Sequence, residues 1–287
     1  MKTCAILGPE GTFTEEAANA CLAGDYQLVY AADIDGVFEQ VLKGTVDAGM
    51  APVNNSLAGS IPATIKNLIN HQVYIAGEIT LPVKHYLLGT EQMALQDIEV
   101  VISMPAVFLQ CERFLRENLP WARKEIVEST ATAAKLVKTD NRKAAAIGPR
   151  QTADVYNLEI IREGLEDESG NCTTFVMLSR KEVIQPNSNK ISVIFGLKDY
   201  PGALYHALGV FATRNVNLSK LESRPRGPRS QEYLFVIDIE GGINEPLIEE
   251  ALNELQGMAA YYKYLGCYPV TERQMGIANQ TAGNTGI

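Results

Sequence analysis

The chain has 287 residues, of which 46% are hydrophobic and 21% charged, and its formal net charge at pH 7 is −9. This length and balance suit a globular protein of two or three domains that buries a sizeable core. The negative charge argues against nucleic acid and against an anionic membrane as partners, although a helix N-terminus can still bind a small anion.

The five cysteines form an odd, scattered set without a C-x-x-C pair: Cys4, Cys21, Cys111, Cys172 and Cys267. This pattern argues against a zinc site and against a disulfide framework, and it suits a reducing compartment. The apolar run near the N-terminus is too short for a signal peptide, and no apolar stretch approaches the ~20 residues that span a bilayer. The sequence therefore predicts a cytoplasmic protein.

Strand and helix patterns alternate through the first part of the chain. Apolar runs at 3–8 and 46–54 are typical of strands, and the stretches that begin at Thr14 and Pro62 are typical of helices. Strands that alternate with helices of this length predict βαβ units around a mostly parallel sheet.

A second α/β group follows. The segment 73–89 has alternating apolar positions and an internal Pro82, which favours extended sheet over helix, and strands and helices then alternate again. A chain that leaves one lobe, builds a second and returns has a cleft between the two, where a substrate is expected at the carboxyl ends of the strands. The predicted lobes are about 1–75 with 160–182, and about 76–159.

The last third of the chain has a different organisation. A polar stretch at 183–190, with Pro186, predicts a linker after the two-lobed domain of residues 1–182. Over 191–271 the predicted elements follow the order β-α-β-β-α-β, which is the ferredoxin-like split motif. The tail at 272–287 is rich in Gly, Asn and Thr without periodicity and is predicted to be disordered.

Hydroxyl side chains stand at three predicted strand-to-helix junctions: Thr12 with Glu15 as a capping box, Ser56 and Ser60 before Pro62, and Ser129 with Thr130. Free backbone N–H groups and a hydroxyl at a helix start can bind a carboxylate or a phosphate. For any one of these junctions alone, ordinary helix capping is the favoured explanation, because Ser and Thr are common at that position. The residues alone therefore indicate a two-lobed binder of a small anion with a small domain behind it.

Several segments carry a resemblance to a known family. The stretches AILGPEGTFTEEAA, APVNNSLAGSIPATI, ESTATAAKLV and GLEDESGNCTTFVML resemble, in order and spacing, the signature segments of prephenate dehydratases. The stretch YPGALYHALGVFATRNVNLSKLESRP resembles the phenylalanine-binding ACT domain of that family. The resemblance implies a periplasmic-binding-protein-like catalytic domain and decarboxylative dehydration of prephenate to phenylpyruvate, without a metal or an organic cofactor. It also implies feedback inhibition by phenylalanine.

The resemblance also implies roles for individual residues. The catalytic residues are expected to be Thr173, as proton donor or orienter of the leaving hydroxyl, with Ser56 and Asn55. Residues expected to bind substrate are Thr12, Phe13, Asn54, Ser103, Ser129, Thr130, Thr174 and Phe175. Residues expected to bind phenylalanine are Asp199, Gly202, Ala203, Leu204, Asn217, Leu218, Glu222, Ser223 and Arg224. ACT modules of this kind pair across subunits, so we expect a homodimer or a homotetramer.

The chain departs from the family pattern at four positions. Thr174 replaces an Arg, Asn54 replaces a Glu, and Met104 and Ala106 replace a His and a Gln. A Thr hydroxyl cannot imitate the bidentate, permanently charged guanidinium. Because the first two changes remove charges of opposite sign, they could offset each other if the two residues are paired in relatives.

Alternatives remain open at this point. Cys172 lacks a neighbouring base and is not expected to be a nucleophile, whereas His85 suits a structural role better than a catalytic one. The altered motif positions leave two rival functions beside the dehydratase. One is a decarboxylase acting on prephenate or a related acid, and the other is a phenylalanine-sensing protein without turnover.

Overall fold

The structure of the chain is a computed structural model, and it describes residues 1–22, 26–225 and 233–272. The described part confirms the expected class: a two-lobed α/β domain followed by a ferredoxin-like domain. No helix in these ranges is long and apolar enough to cross a membrane.

The first lobe is a mixed sheet flanked by three helices. Its elements are β1 (Lys2–Leu7), α1 (Phe13–Cys21), β2 (Tyr26–Ala31), α2 (Ile34–Lys43), β3 (Ala48–Asn55), β4 (Gly59–Ser60), α3 (Pro62–Asn70) and β5 (Tyr74–Pro82). The strands β2, β1 and β3 run parallel, as the alternation predicted. The core beneath α2 is built by Val37, Phe38 and Val41, the helical stripe of that element.

The second lobe is a smaller five-stranded sheet. Its elements are β6 (Tyr86–Gly89), a 3-10 turn at Leu95–Asp97, β7 (Val100–Ser103), α4 (Pro105–Gln110), α5 (Glu112–Asn118), β8 (Arg123–Ile126), α6 (Thr130–Thr139), β9 (Ala144–Gly148), α7 (Arg150–Tyr156) and β10 (Glu159–Glu163). The chain then returns to the first lobe as β11 (Cys172–Ser179), which lies between β5 and β3.

The predicted lobe boundaries near residues 75 and 160 are wrong. Strand β5 pairs along its whole length with β11 and so belongs to the first sheet, whereas β10 pairs with β6 in the second. The crossings between lobes therefore lie after Pro82 and before Cys172. Lobe membership of a strand depends on its pairing partner, which composition does not specify.

The C-terminal domain has the predicted β-α-β-β-α-β order. Its elements are β12 (Lys190–Gly196), α8 (Ala203–Ala212), β13 (Leu218–Pro225), β14 (Tyr233–Glu240), α9 (Pro246–Met258) and β15 (Tyr261–Tyr268), with the sheet order β13-β14-β12-β15. Alternate residues of β12 point to opposite faces. Val193 and Phe195 pack under α8 and α9, while Ile194 packs against the first lobe. One face of this sheet therefore shares a hydrophobic core with the first lobe.

The ferredoxin-like sheet ends at Tyr268, a few residues before the predicted domain boundary at residue 271. A last strand, β16 (Val270–Glu272), leaves the ferredoxin-like sheet and pairs in parallel with β5 of the first lobe. The predicted linker also contacts that lobe, because Gln185 Nε2 donates to the carbonyl of Ala76 at 2.7 Å. The predicted disordered tail lies outside the described residues except for Glu272.

A buried lysine fixes the two domains together. Lys263 of β15 is 8% exposed, and its ammonium donates to the carbonyls of Leu68, Ile69 and His71 at the C-terminal end of α3. These carbonyls lack partners within the helix, and a cation is favourable at this end of the helix dipole. Burial lowers the pKa of Lys263 to about 8.

Replacement of this lysine is expected to destabilise the chain. Lys263→Met keeps the apolar stem but removes the ammonium from all three carbonyls, although Ile69 keeps the Tyr261 hydroxyl and His71 keeps the Val73 N–H. Urea denaturation should give a free energy of unfolding lower by about 1–3 kcal/mol. Lys43→Met is the matched control, because Lys43 is exposed and, within the part of the chain that the structure describes, pairs with Glu39 alone, on the same helix face. The control should shift stability by less than about 0.5 kcal/mol. Equal effects of the two changes would contradict the interdomain role of Lys263.

Candidate functional site

A cleft of about 700 Å³ lies between the two lobes. It is bordered on one side by the C-terminal ends of β1 and β3 and the start of β11, and on the other by the starts of α4 and α6. Seven of the predicted site residues line it: Thr12, Phe13, Asn55, Ser129, Thr130, Thr173 and Phe175. These residues come from segments far apart in sequence, so the fold brings the separate motifs together.

Thr173 and Asn55 form the centre of this cleft. They are register partners on the antiparallel strands β11 and β3. The Nδ2 of Asn55 donates to Thr173 Oγ1 at 3.0 Å, to Asn171 Oδ1 at 2.8 Å and to the Cys172 carbonyl at 3.2 Å. Asn55 is 9% exposed and Asn171 4%, so the arrangement is held in a largely dry wall.

The orientation of the Asn55 amide decides the direction of these bonds. Its Oδ1 accepts the backbone N–H groups of Leu57 and Ala58, at 3.1 and 2.9 Å. A backbone N–H is only a donor, so the opposite end of the amide must be the NH2 group. Thr173 Oγ1 consequently accepts a hydrogen bond from Asn55, and its own proton remains available for a group in the cleft.

The starts of two helices, α1 and α6, line the same cleft. Thr12 caps α1 by accepting from Glu15 N at 3.4 Å, as the predicted capping box requires, but the Glu15 carboxylate accepts from Gly11 N at 2.7 Å, one residue before the N-cap. Ser129 caps α6 by accepting from Thr132 N at 3.0 Å. The partial positive charge of both helix starts favours an anion between them.

Lys135 also lines the cleft, and the sequence analysis did not identify it. It follows Thr130 in α6, and its exposed ammonium lies 5.9 Å from the centre of the Tyr156 ring. Helical spacing could have indicated it, because Lys135 lies three positions after Thr132, another cleft residue, and residues three apart share a helix face. Lys135 contributes a positive charge to this side of the cleft, and Glu128 contributes a negative one.

Ser103 and Ser56 do not line the cleft. Ser103 is fully buried and donates to the Ile147 carbonyl at 2.8 Å, so it joins β7 to β9 in the core of the second lobe. Ser56 is bonded to the returning strand, accepting from Cys172 N at 3.0 Å and donating to Asn171 Oδ1 at 3.3 Å. The substrate-binding role predicted for Ser103 and the catalytic role predicted for Ser56 are therefore replaced by structural ones.

Comparison with known proteins decides the family. The prephenate dehydratase family model matches residues 4–183. The chain belongs to the prephenate dehydratase family. An ACT domain model matches residues 191–257, which identifies the ferredoxin-like unit.

Individual relatives agree with this assignment. The chain is 38% identical over 270 residues to the prephenate dehydratase of Methanocaldococcus jannaschii, covering 91% of this chain and 96% of that protein. The crystal structure of prephenate dehydratase from Arthrobacter aurescens in complex with L-Phe is 32% identical, with a TM-score of 0.84 over 93% of this chain and 90% of that one. A structure described as GqqA, a novel type of quorum quenching acylase, is 29% identical, with a TM-score of 0.83 over 94% and 98%.

Two of the positions at which this prephenate dehydratase family member departs from the pattern face away from the cleft. Asn54 and Thr174 line a second cavity, of about 230 Å³, between the first lobe and the ACT domain. They are register partners of each other, and Thr174 Oγ1 lies 3.0 Å from Thr80 Oγ1. They do not line the cleft in this structure, because neighbouring residues of a strand point to opposite faces, and their contact with substrate stays a prediction. Because Asn54 and Thr174 lie side by side, a Glu and an Arg at these two positions could pair, and their joint replacement could offset the two lost charges.

The other two departures, Met104 and Ala106, line the cleft beside His85. His85 is 1% exposed; its Nε2 lies 2.7 Å from Gln110 Oε1, and its ring meets Phe13 edge-on. Its Nδ1 has no hydrogen-bond partner within the described residues. Burial lowers the pKa of His85.

The lowered pKa of His85 predicts a stability difference between neutral and acid pH. Below its ordinary pKa near 6.5, the unfolded chain takes up a proton that the folded chain resists, so stability falls as the pH decreases. The melting temperature of the wild type should therefore drop more between pH 7.5 and pH 5 than that of His85→Gln. His71→Gln, at an exposed helix end, is the control and should behave like the wild type. Parallel curves for all three proteins would show that His85 has no part in the acid sensitivity.

The ACT domain has its own groove, of about 260 Å³, at the turn before α8. Four predicted phenylalanine ligands line it: Asp199, Gly202, Ala203 and Leu204. Gly202 adopts φ +88°, where a side chain would be strained. Tyr200, Tyr205, Tyr233 and Phe235 add an aromatic wall that the sequence analysis missed.

The other predicted phenylalanine ligands do not line this groove in the single chain. Asn217 donates to Glu240 at 2.8 Å, and Leu218 packs against the core under α8 and α9. Glu222 is bonded to Ser60 of the first lobe. Ser223 and Arg224 lie on β13, which is an edge strand of the ACT sheet.

Proposed function

We propose that the chain is a prephenate dehydratase that forms phenylpyruvate in phenylalanine biosynthesis. The observation that carries this proposal is the Thr173 hydroxyl, whose proton is free to point into a cleft bordered by two helix starts. The reaction breaks the bond from the ring to its carboxylate and moves that electron pair into the ring, which expels the ring hydroxyl. One proton converts the departing hydroxide to water, so prephenate and one proton give phenylpyruvate, carbon dioxide and water.

Different residues of the cleft would carry out different parts of this reaction. Thr173 donates a hydrogen bond to the leaving hydroxyl, and Asn55 holds the Thr173 oxygen in place. The starts of α1 and α6 supply backbone N–H donors for the two carboxylates of prephenate, and Thr130 supplies a hydroxyl. Lys135 adds a positive charge there, and Phe13 and Phe175 form the apolar wall against the ring. Fixing the dicarboxylate in one orientation supplies the remaining part of the catalysis.

Thr173 is better suited to hydrogen-bond donation than to nucleophilic attack. Its hydroxyl has an amide, Asn55, as its partner, and an amide cannot take up a proton as a base does. The similarity to a structure described as an acylase therefore does not lead us to an acyl-transfer proposal.

Phenylalanine regulation and assembly complete the proposal. The groove at Asp199–Leu204 would bind the amino acid, as the relative whose structure contains L-Phe suggests. We propose a homodimer or a homotetramer through the ACT domains, because β13 is an edge of the sheet among the described strands and Tyr205, Leu221 and Tyr233 are 76%, 46% and 53% exposed. We place the protein in the cytoplasm, where its five free cysteines would stay reduced.

One assay tests the proposed activity. Purified protein is mixed with prephenate, and the product is followed by ultraviolet absorbance and mass spectrometry. Phenylpyruvate formation supports the proposal, whereas a non-aromatic decarboxylated acid would favour the rival decarboxylase. Absence of turnover, together with phenylalanine binding in calorimetry, would favour the sensor.

A further inference from the structure

The Glu222 side chain connects the ACT domain with the catalytic lobe. Its Oε2 accepts a hydrogen bond from Ser60 Oγ at 2.5 Å, and its Oε1 accepts one from Arg224 Nε at 2.5 Å. Lys220 Nζ lies 3.4 Å from Oε2. The carboxylate, whose side chain is 17% exposed, is therefore fixed between two cations of its own strand and a hydroxyl of the other domain.

Ser60 belongs to the hairpin that positions the catalytic pair. The short strand β4 runs antiparallel to β3, with Ser60 opposite Asn54 and Gly59 opposite Asn55. The tip of the hairpin donates the N–H groups of Leu57 and Ala58 to Asn55. Ser60 is thus one register position from Asn55, which in turn holds Thr173. A displacement of Ser60 would be transmitted through backbone hydrogen bonds to the centre of the cleft.

We propose that Ser60 and Glu222 are positioning residues that link the phenylalanine-binding domain to the catalytic pair Asn55–Thr173. Glu222 lies on β13, and this edge strand pairs with β14, which begins with the groove residue Tyr233. Phenylalanine in the groove, or a second chain against β13, would shift this strand and move Ser60 with it. The inference rests on the proposed function, and it assigns to Glu222 a link between domains in place of ligand binding.

Removal of the Ser60 hydroxyl tests this link. In Ser60→Ala, calorimetry should show phenylalanine binding within about threefold of the wild type, because the groove is intact. The ratio of activity without phenylalanine to activity at saturation should fall at least about fivefold, the lower end of usual allosteric couplings. Ser60→Thr keeps the hydroxyl and should restore the ratio. Tyr261→Phe is the control, since it removes a hydroxyl bond to Ile69 elsewhere in the same interface.

A second measurement needs no turnover and separates this inference from the proposed activity. Hydrogen exchange at Leu57 and Ala58 should change when phenylalanine is added to the wild type and stay constant in Ser60→Ala. Circular dichroism of both proteins checks that the variant is folded. An undiminished inhibition ratio in Ser60→Ala, or an equal loss in Tyr261→Phe, would overturn the link. Failure of the wild type to turn over prephenate, with the exchange response intact, would overturn only the proposed activity.

Discussion

Thr173→Val is expected to lower kcat for prephenate by about 10²- to 10⁴-fold, the range over which a positioned proton donor acts. Valine has nearly the shape of threonine and is favoured in strands, so β11 should keep its pairing. The decrease in kcat then measures the effect of removing the hydroxyl alone. Steady-state kinetics should show the effect mainly in kcat, because the carboxylates of the substrate are held by other groups.

The neighbouring residue supplies the matched control. Thr174→Val makes the same chemical change one position along β11, but on the face toward the ACT domain, where it removes only the contact with Thr80. We expect a change in kcat of less than about fivefold, since one neutral hydrogen bond contributes about 1 kcal/mol. Thr173→Ser keeps the donor and should retain most of the activity. If Thr173→Val is as active as Thr174→Val, Thr173 is not the hydrogen-bond donor to the leaving hydroxyl.

The overall organisation could be predicted because its signals are local. Strand and helix alternation gave two α/β lobes, and the turn before α8 marked the ACT domain. The lobe boundaries and β16 could not be predicted in this way. Whether β5 joins the first or the second sheet depends on its pairing with β11, which is about a hundred residues away in sequence. Non-local pairing leaves no periodic signal in either strand.

The sequence analysis of the site did not apply strand geometry. Asn54 and Asn55 are adjacent in β3, as are Thr173 and Thr174 in β11, and one face of a strand can present only one residue of each pair. Alternation alone would have excluded two of these four from the cleft. The missing guanidinium at Thr174 thus lies, in this structure, on the face toward the ACT domain.

The position of Glu222 illustrates a different limit. Its motif indicated a role in regulation, but the motif could not distinguish a ligand of phenylalanine from a contact with Ser60, 162 residues away. Lys135 was missed for the converse reason, because a lysine on an exposed helix is common and only the facing lobe makes it part of a site.

Asn55→Asp is expected to lower kcat by at least about 100-fold, although it changes a single NH2 group to an oxygen. Aspartate still accepts the N–H groups of Leu57 and Ala58, so the hairpin should persist. The carboxylate, however, accepts a hydrogen bond from Thr173 instead of donating one. The Thr173 proton is then directed away from the cleft and is lost to the substrate.

The same change predicts a pH dependence with a definite sign. Protonation of the new carboxyl restores a donor beside Thr173, so the ratio of Asn55→Asp activity to wild-type activity should rise as the pH is lowered toward the pKa of the aspartate. Asn54→Asp makes the identical substitution on the opposite face of β3, where it adds a charge without contacting Thr173, and its activity ratio should show no such rise. Rate profiles of the three proteins between pH 8 and pH 5 measure both ratios. A pH-independent loss in Asn55→Asp would mean that Asn55 acts through the shape of the hairpin and does not direct the Thr173 proton.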